Sequence, residues 1–155
     1  MRFKIFYTVL LGLSLIISFE LNAQQPKLSM CKVTIVDEYN KETTLMVEVA
    51  KTVKEKTYGL MDRESLGENE GMLFVYPKEE YMNFWMKNTK IALSIAYINS
   101  YGEILEIKDM KPLDATKTYP SKQPCKYAIE VNKGWFKNNN IKPGSKVVFN
   151  GCFGK

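Results

Sequence analysis

The 155-residue chain contains no histidine. Without an imidazole there is no Ser-His-Asp triad, no Cys-His pair and no His-ligated zinc or iron centre. Carboxylate pairs, Ser–Lys dyads and tyrosine chemistry are what remains open. Cysteine is scarce as well. Cys31, Cys125 and Cys152 are widely separated, so there is no Cys-x-x-Cys pair of the metal-binding or redox type. In an oxidising compartment three cysteines allow one disulfide and leave one thiol, and all three pairings are open. A Cys31–Cys152 bond would close nearly the whole chain after its N-terminal segment, and is worth about 4–5 kcal/mol on a chain-entropy account. Internal repeats, low-complexity tracts and linkers are also missing. Beyond the N-terminus no segment is apolar enough to span a membrane.

What is present begins with an export pattern. Arg2 and Lys4 precede an apolar run, Ile5 to Phe19, interrupted by Thr8, Gly12, Ser14 and Ser18. Its 15 residues fall short of the roughly 20 that a spanning helix needs. Leu21-Asn22-Ala23 then places a small residue at a cleavage point. The segment reads as a secretory signal peptide over residues 1–23, with a periplasmic or extracellular destination. An uncleaved anchor is the alternative. Leu28-Ser29-Met30-Cys31 faintly resembles a lipidation box, but Met30 is large for its position and Cys31 lies well past the apolar run. Residues 24–30 form a polar leader, and residues 31–155 read as one β-rich domain. Removing 23 residues leaves 132, with 20 bases and 16 acids, a net charge of +4. That length can bury a core without a disulfide scaffold.

Charge is unevenly distributed. Gln24 to Ile107 carries ten bases and thirteen acids, whereas Lys108 to Lys155 carries ten bases and three acids. A basic C-terminal third suits an anionic polymer, but its lysines are spread over loops without interleaved aromatics. That is the pattern of a solvated surface, and no nucleic-acid partner is expected.

Hydrophobic periodicity points to short strands. Cys31 to Val36 is β-branched, and Thr43 to Val49 alternates with Leu45, Val47 and Val49 on one face. Thr52 and Glu55 form a capping box, and Gly59 is placed to end the resulting short helix. Asp62 to Gly71 reads as a loop, Gly71 to Tyr76 as a strand stopped by Pro77, and Lys78 to Tyr81 as a turn. Met82 to Asn88, Ile91 to Ile98 and Glu103 to Met110 are further strands, the last two joined at Asn99-Ser100-Tyr101-Gly102. Lys111 to Pro124, with three prolines, is the longest loop. Lys126 to Val131 alternates with Tyr127, Ile129 and Val131 on one face. Trp135 and Phe136 begin a helical turn, and Lys146 to Phe149 is the last strand. This amounts to about eight short strands with one or two short helices, a mostly β sandwich or small barrel rather than a series of βαβ units.

Several segments resemble the domain of unknown function 192 family. They are Gly59-Leu60-Met61 with Arg63, Gly71-Met72-Leu73-Phe74, Phe84-Trp85-Met86 with Asn88-Thr89, Ile91 to Ile98, Gly102 with Ile104, and Tyr127 to Glu130 before Gly134. The resemblance spans roughly Leu45 to Phe149. It implies a compact jelly-roll-like fold, often in exported proteins, and assigns no activity. Ala92 and Ser94 stand where the family usually has proline and aspartate, and Lys56 stands where arginine is usual. The resemblance therefore carries over no role that needs that aspartate.

Three kinds of chemistry remain as candidates. Arg63, Trp85, Lys87, Asn88 and Thr89 combine aromatic, cationic and hydrogen-bonding groups. Period-two alternation turns Trp85 and Lys87 away from Phe84 and Met86. A tryptophan so placed suits stacking on a sugar ring or planar ligand, and equally suits packing under the Asp62–Gly71 loop. The first reading is therefore a non-enzymatic module that binds a small molecule or glycan at the Arg63/Trp85/Asn88 surface, with no cofactor; a protein partner or structural role is also open. The second is a hydrolase using Glu130 with Asp109 or Asp114 on a glycosidic bond. A Ser94 pair with Lys87 or Lys90 is weaker still. The third is Cu(I) binding through Met61, Met72, Met82 and Met86, although methionine also fills cores and no tight Met-x-x-Met run exists.

Overall fold

The computed structural model describes residues 27–153. The signal-peptide reading and residues 24–26 of the leader lie outside them, while Ser29 and Met30 of the leader belong to the first strand. Nine strands and two short helices follow in the order β1 (Ser29–Val36), β2 (Glu42–Ala50), α1 (Val53–Tyr58), β3 (Glu70–Glu80), β4 (Asn83–Trp85), β5 (Leu93–Ile98), β6 (Ile104–Met110), β7 (Thr118–Pro120), β8 (Cys125–Asn132), α2 (Trp135–Asn138) and β9 (Lys146–Val148). Seven strands form one sheet in the order β6-β5-β8-β3-β2-β1-β9, and β4 pairs with β7 in a separate ribbon. The mostly β expectation holds.

The sheet curls into a half-barrel whose edge strands touch at one end. Glu103 and Lys146 form a bridge between them. Val147 N–H donates to Gly102 O at 2.7 Å, and Gly144 N–H to Ile104 O at 2.8 Å. Gly102 permits this approach. Its φ is +77°, and a Cβ there would lie 2.5 Å from the Val147 carbonyl oxygen. Pairing the edges in this way also removes exposed strand rims.

Alternation assigns the faces. Val33, Ile35, Leu45, Val47, Leu73, Ala96, Ile129 and Val131 fill the concave interior, closed at one end by Trp135 and Phe136 of α2. The convex faces of β1 and β2 are largely polar or exposed, as alternation requires, apart from Ala50, which is buried at the end of β2. Strands β3, β5 and β8 differ, because their convex faces are buried too. Met72, Phe74, Ile95, Tyr97 and Ala128 lie under a second layer carrying Leu60, Met82, Phe84, Met86 and Tyr119. All six residues of β5 are buried.

The structure differs from the sequence pattern at three places. Strand β3 runs through Pro77 to Glu80, because register with β8 is lost between Val75 and Glu80 and proline forfeits no ladder bond there. The Lys111–Pro124 loop contains β7, held to β4 by three residue pairs. Strands β2 and β3 are parallel, with α1 on the crossover between them, so one βαβ unit interrupts the antiparallel order. The helix itself forms as its capping box predicts: Glu55 N–H donates to Thr52 Oγ1, and Thr52 N–H to Glu55 Oε2.

Cys31 and Cys152 are disulfide-bonded, with Cα atoms 5.2 Å apart and a sequence separation of 121. Cys125 is the remaining free thiol and is buried. The bond ties β1 to the segment after β9 and so limits the unfolded chain nearly end to end. Replacing Cys31 and Cys152 with serine is expected to lower the unfolding free energy by roughly 2–5 kcal/mol. Urea unfolding with and without reductant checks this, and an unchanged midpoint would deny the bond any stabilising role.

Candidate functional site

The second layer on the convex face leaves a cleft. It has a volume of about 550 Å³ and is walled by Val53, Lys56 and Thr57 of α1, Tyr76, Pro77 and Glu80 of β3, and Phe84, Trp85 and Thr118 of the β4–β7 ribbon. Trp85 is 44% exposed although Phe84 and Met86 on either side are buried. This is the alternation expected from sequence. The Lys87 Nζ lies 5.4 Å from the Trp85 ring centroid. On the facing wall, Lys56 Nζ lies 3.8 Å from the centroid of Tyr76.

Beside this cleft is an inner chamber of about 20 Å³, which shares Lys56, Thr57, Phe84 and Trp85 as walls. Its other walls include Leu60, Met61, Phe74, Thr89 and Glu130. Such a volume has room for about one water-sized group. Glu130 is 4% exposed. Its strand neighbours on the same face are Met72 and Ile95. Burial in these surroundings pushes its pKa up to about 8, and no hydrogen bond or nearby cation enters the balance. Tyr76 and Tyr97 nearby are also raised, first by burial and then by nearby carboxylates, Glu130 among them.

The loop after α1 forms the far wall. Leu60 anchors it in the second layer. Asp62 N–H donates to Asn88 O at 2.9 Å, an approach that uses the positive φ of Asn88. Arg63 makes a two-pronged pair with Glu48, both contacts at 2.6 Å. Arg63 and Asn88 therefore pin this loop and do not line the cleft.

The candidate residues are thus regrouped. Trp85 and Thr89 of the first set meet Glu130 of the second. Lys87 lies at the edge of Trp85. Ser94 and Asp109 share the opposite face of the sheet, hydrogen-bonded at 2.6 Å. Ser94 Oγ also accepts from Gly134 N–H, and Lys90 pairs with Glu64, so no Ser–Lys contact forms. Asp114 closes its own turn by accepting from Thr116 and Lys117. Met82 and Met86 are buried in the second layer, Met72 is buried beneath it on β3, and Met61 lines the chamber. Among the described residues no cluster of cysteine, aspartate and glutamate could hold a metal ion. Sequence reasoning missed Lys56, Tyr76 and Glu80, because the crossover that brings α1 against β3 leaves no local signature.

Glu130 ties stability to pH, and the sign follows from its two states. The folded chain keeps the proton up to about pH 8, whereas the unfolded chain releases it near pH 4.5. The stability that Glu130 contributes is therefore fully present below about pH 4.5 and is lost, by an amount on the order of a few kcal/mol, as the pH rises to about 8. The carboxyls of Asp37, Glu55 and Asp114 are lowered, mainly by hydrogen bonds, and titrate below this window. Glu130→Gln is expected to flatten the slope, as read from urea unfolding at several pH values. A slope that survives the substitution would assign it elsewhere.

The fold has relatives of known structure. A protein of Sinorhizobium meliloti 1021, whose name proposes a transcription regulator, superposes with a TM-score of 0.78 at 27% identity, covering 81% of this chain and 98% of that one. A protein of unknown function from Novosphingobium aromaticivorans DSM 12444 gives 0.75 at 32% identity, covering 79% and 86%. No curated protein matches. Residues 34–149 match the DUF192 family, described as "Uncharacterized ACR", over more than half of the sequence. The chain belongs to the DUF192 family.

Proposed function

We propose that the protein is an exported, non-enzymatic module that binds a small molecule or glycan in the cleft beside Trp85. The observation that carries this reading is Trp85 itself, a 44% exposed indole on the wall of a 550 Å³ cleft. Binding sites for small molecules typically occupy about 300–1,000 Å³ and combine an aromatic lining with a few polar groups. Tryptophan offers a flat apolar face suited to a sugar ring or planar heterocycle. Lys56, Lys87 and Glu80 supply polar contacts around that face.

Export is supported by the N-terminal pattern of Arg2, Lys4 and the apolar run, and by the Cys31–Cys152 bond, since disulfides persist mainly in oxidising compartments. The name carried by the Sinorhizobium relative is not a guide to this chain's ligand. The basic C-terminal third is partly neutralised by acids from elsewhere. Lys108 and Lys122 pair with Glu106, Lys142 with Glu38 and Lys146 with Glu103. That distribution does not build a phosphate-binding face. The hydrolase reading keeps Glu130 but loses the partners first considered for it, since Asp109 and Asp114 lie elsewhere.

A thermal-shift screen of envelope glycans, peptidoglycan fragments, nucleotides and metal ions tests the reading. A ligand present at 100 times its dissociation constant adds about 2.7 kcal/mol to the folded state, a readily seen shift. Trp85→Ala is expected to weaken such a hit by about tenfold while leaving the unliganded melting temperature nearly unchanged. An affinity indifferent to this substitution would remove the cleft as the site.

A further inference from the structure

The β4–β7 ribbon turns Phe84 and Tyr119 inward and leaves Asn83, Trp85, Thr118 and Pro120 exposed. Asn83 pairs with Pro120 and Trp85 with Thr118, so these side chains make one continuous outer face. The cleft lies on the β4 side of this face. On its β7 side is a second cavity of about 370 Å³, walled by Lys108 and Asp109 of β6 and by Lys117, Thr118, Tyr119 and Pro120. Thr118 belongs to both. Each volume alone is within the range that holds a small molecule. Joined across the ribbon, they form a groove that suits a chain of linked units better than a single ring.

Charge is polarised along this groove. Among the described residues Lys90, Lys108, Lys122, Lys142 and Lys146 pair with carboxylates. Lys87 and Lys117 have no such partner and lie near rings instead, 5.4 Å from the Trp85 centroid and 5.2 Å from that of Tyr119. Lysine and aromatic residues thus interleave locally, two positions apart in each segment. A cation–π contact at an exposed site is weak and leaves the ammonium group charged and open to an anion. Because Trp85 pairs with Thr118, Lys87 and Lys117 both flank the ribbon at that end. Glu80 borders the cleft at the opposite end, before Asn83. The carboxylate of Asp109 accepts from Ser94.

We propose that the groove takes a linear acidic oligosaccharide, a chain of uronic acid residues, with one ring on Trp85 and carboxylates met by Lys87 and Lys117. The proposal rests on the cleft being a ligand site and extends that site across Thr118. Stacking and charge act together on such a ligand, since a uronate carries a carboxylate on the rim of a ring whose face suits an indole. Lysine is a compact point charge, fitted to single carboxylates spaced along a chain. A phosphate polymer fits less well. Proteins that hold one neutralise about 6–10 phosphates. Here Lys56, Lys87 and Lys117 are the groove's cations without a carboxylate partner, and Glu80 opposes them.

Calorimetric titration of the full protein at low salt with trigalacturonate, galacturonate and neutral cellotriose tests this. Trigalacturonate is expected to bind at least about tenfold more tightly than either of the others, gaining from both cavities and from its charge. Its affinity is expected to fall about fivefold or more between roughly 0.05 and 0.5 M salt, because exposed charges are screened. The double variant Lys87→Gln/Lys117→Gln is expected to lose about tenfold in affinity for the trimer and to bind cellotriose unchanged, whereas Lys87→Arg/Lys117→Arg keeps the trimer. Both side chains are exposed, so these variants keep the fold, which their melting temperatures check. A trimer that binds no better than galacturonate overturns the continuous groove. Cellotriose binding as tightly as the trimer, or a trimer affinity indifferent to salt and to the glutamine variant, overturns the acidic class. Tighter binding of a short single-stranded DNA than of the trimer overturns it as well and reassigns the groove to phosphate. The two readings separate through Trp85→Ala. If it weakens cellotriose binding while the lysine variants change nothing, the cleft stands and the acidic chain is excluded. If it leaves every affinity unchanged, both fall. Absence of binding by either uronate overturns the acidic assignment, while the cleft itself remains to be judged by the wider screen.

Discussion

Burial of both faces of β3, β5 and β8 is the constraint on which the rest of the structure depends. A sheet curled into a half-barrel needs only its concave face covered by its own side chains. Here the convex face of three central strands is apolar too, and it has to be covered by something other than sheet. The β4–β7 ribbon, α1 and the loop after it are that cover, seated through Met82, Phe84, Met86, Tyr119 and Leu60. The cover is an assembly of short pieces, and short pieces meet imperfectly. The cleft and the chamber lie along their seams.

Glu130 is a product of the same constraint. It alternates to the convex face of β8, where Met72 and Ile95 flank it and the cover excludes water. Had β8 been a strand with a wet outer face, like β1 or β2, this glutamate would be an ordinary solvated carboxylate. Beneath the cover it holds its proton through neutrality. The absence of histidine gives that fact unusual visibility, because no imidazole titrates between the ordinary carboxylates and the tyrosines. Those carboxylates whose values are displaced downward lie outside the window. Among the described carboxyl groups, Glu130 is the one that burial pushes up to about 8.

The loop between α1 and β3 shows how structural and ligand-facing residues are interleaved. Arg63 and Asn88, attractive as ligand-binding groups when read in sequence, are committed to the loop through Glu48 and the Asp62 amide. Trp85, only three residues from Asn88, is free to face the cleft. A polar residue close in sequence to an exposed aromatic belongs to the same site only if the chain between them does not turn, and the positive φ of Asn88 makes it turn.

Local patterns were sufficient for much of the fold. The missing histidine, the alternation of Thr43–Val49 and Lys126–Val131, the capping box at Thr52 and the turn at Gly102 each act over a few residues and needed no tertiary information. The outward orientation of Trp85 follows from the period of a strand and was equally accessible. Pairing across long separations was not. The parallel register of β2 and β3, the β4–β7 ribbon within a proline-containing loop, and the Cys31–Cys152 bond depend on which apolar faces find each other, and several arrangements satisfy the same pattern. The meeting of Trp85, Thr89 and Glu130 was likewise decided only in three dimensions. Sequence placed Glu130 opposite the apolar face of its strand, where water is the usual neighbour. The second layer, folded over that face largely from residues 60–86, more than forty positions earlier in the chain, made it a buried acid instead.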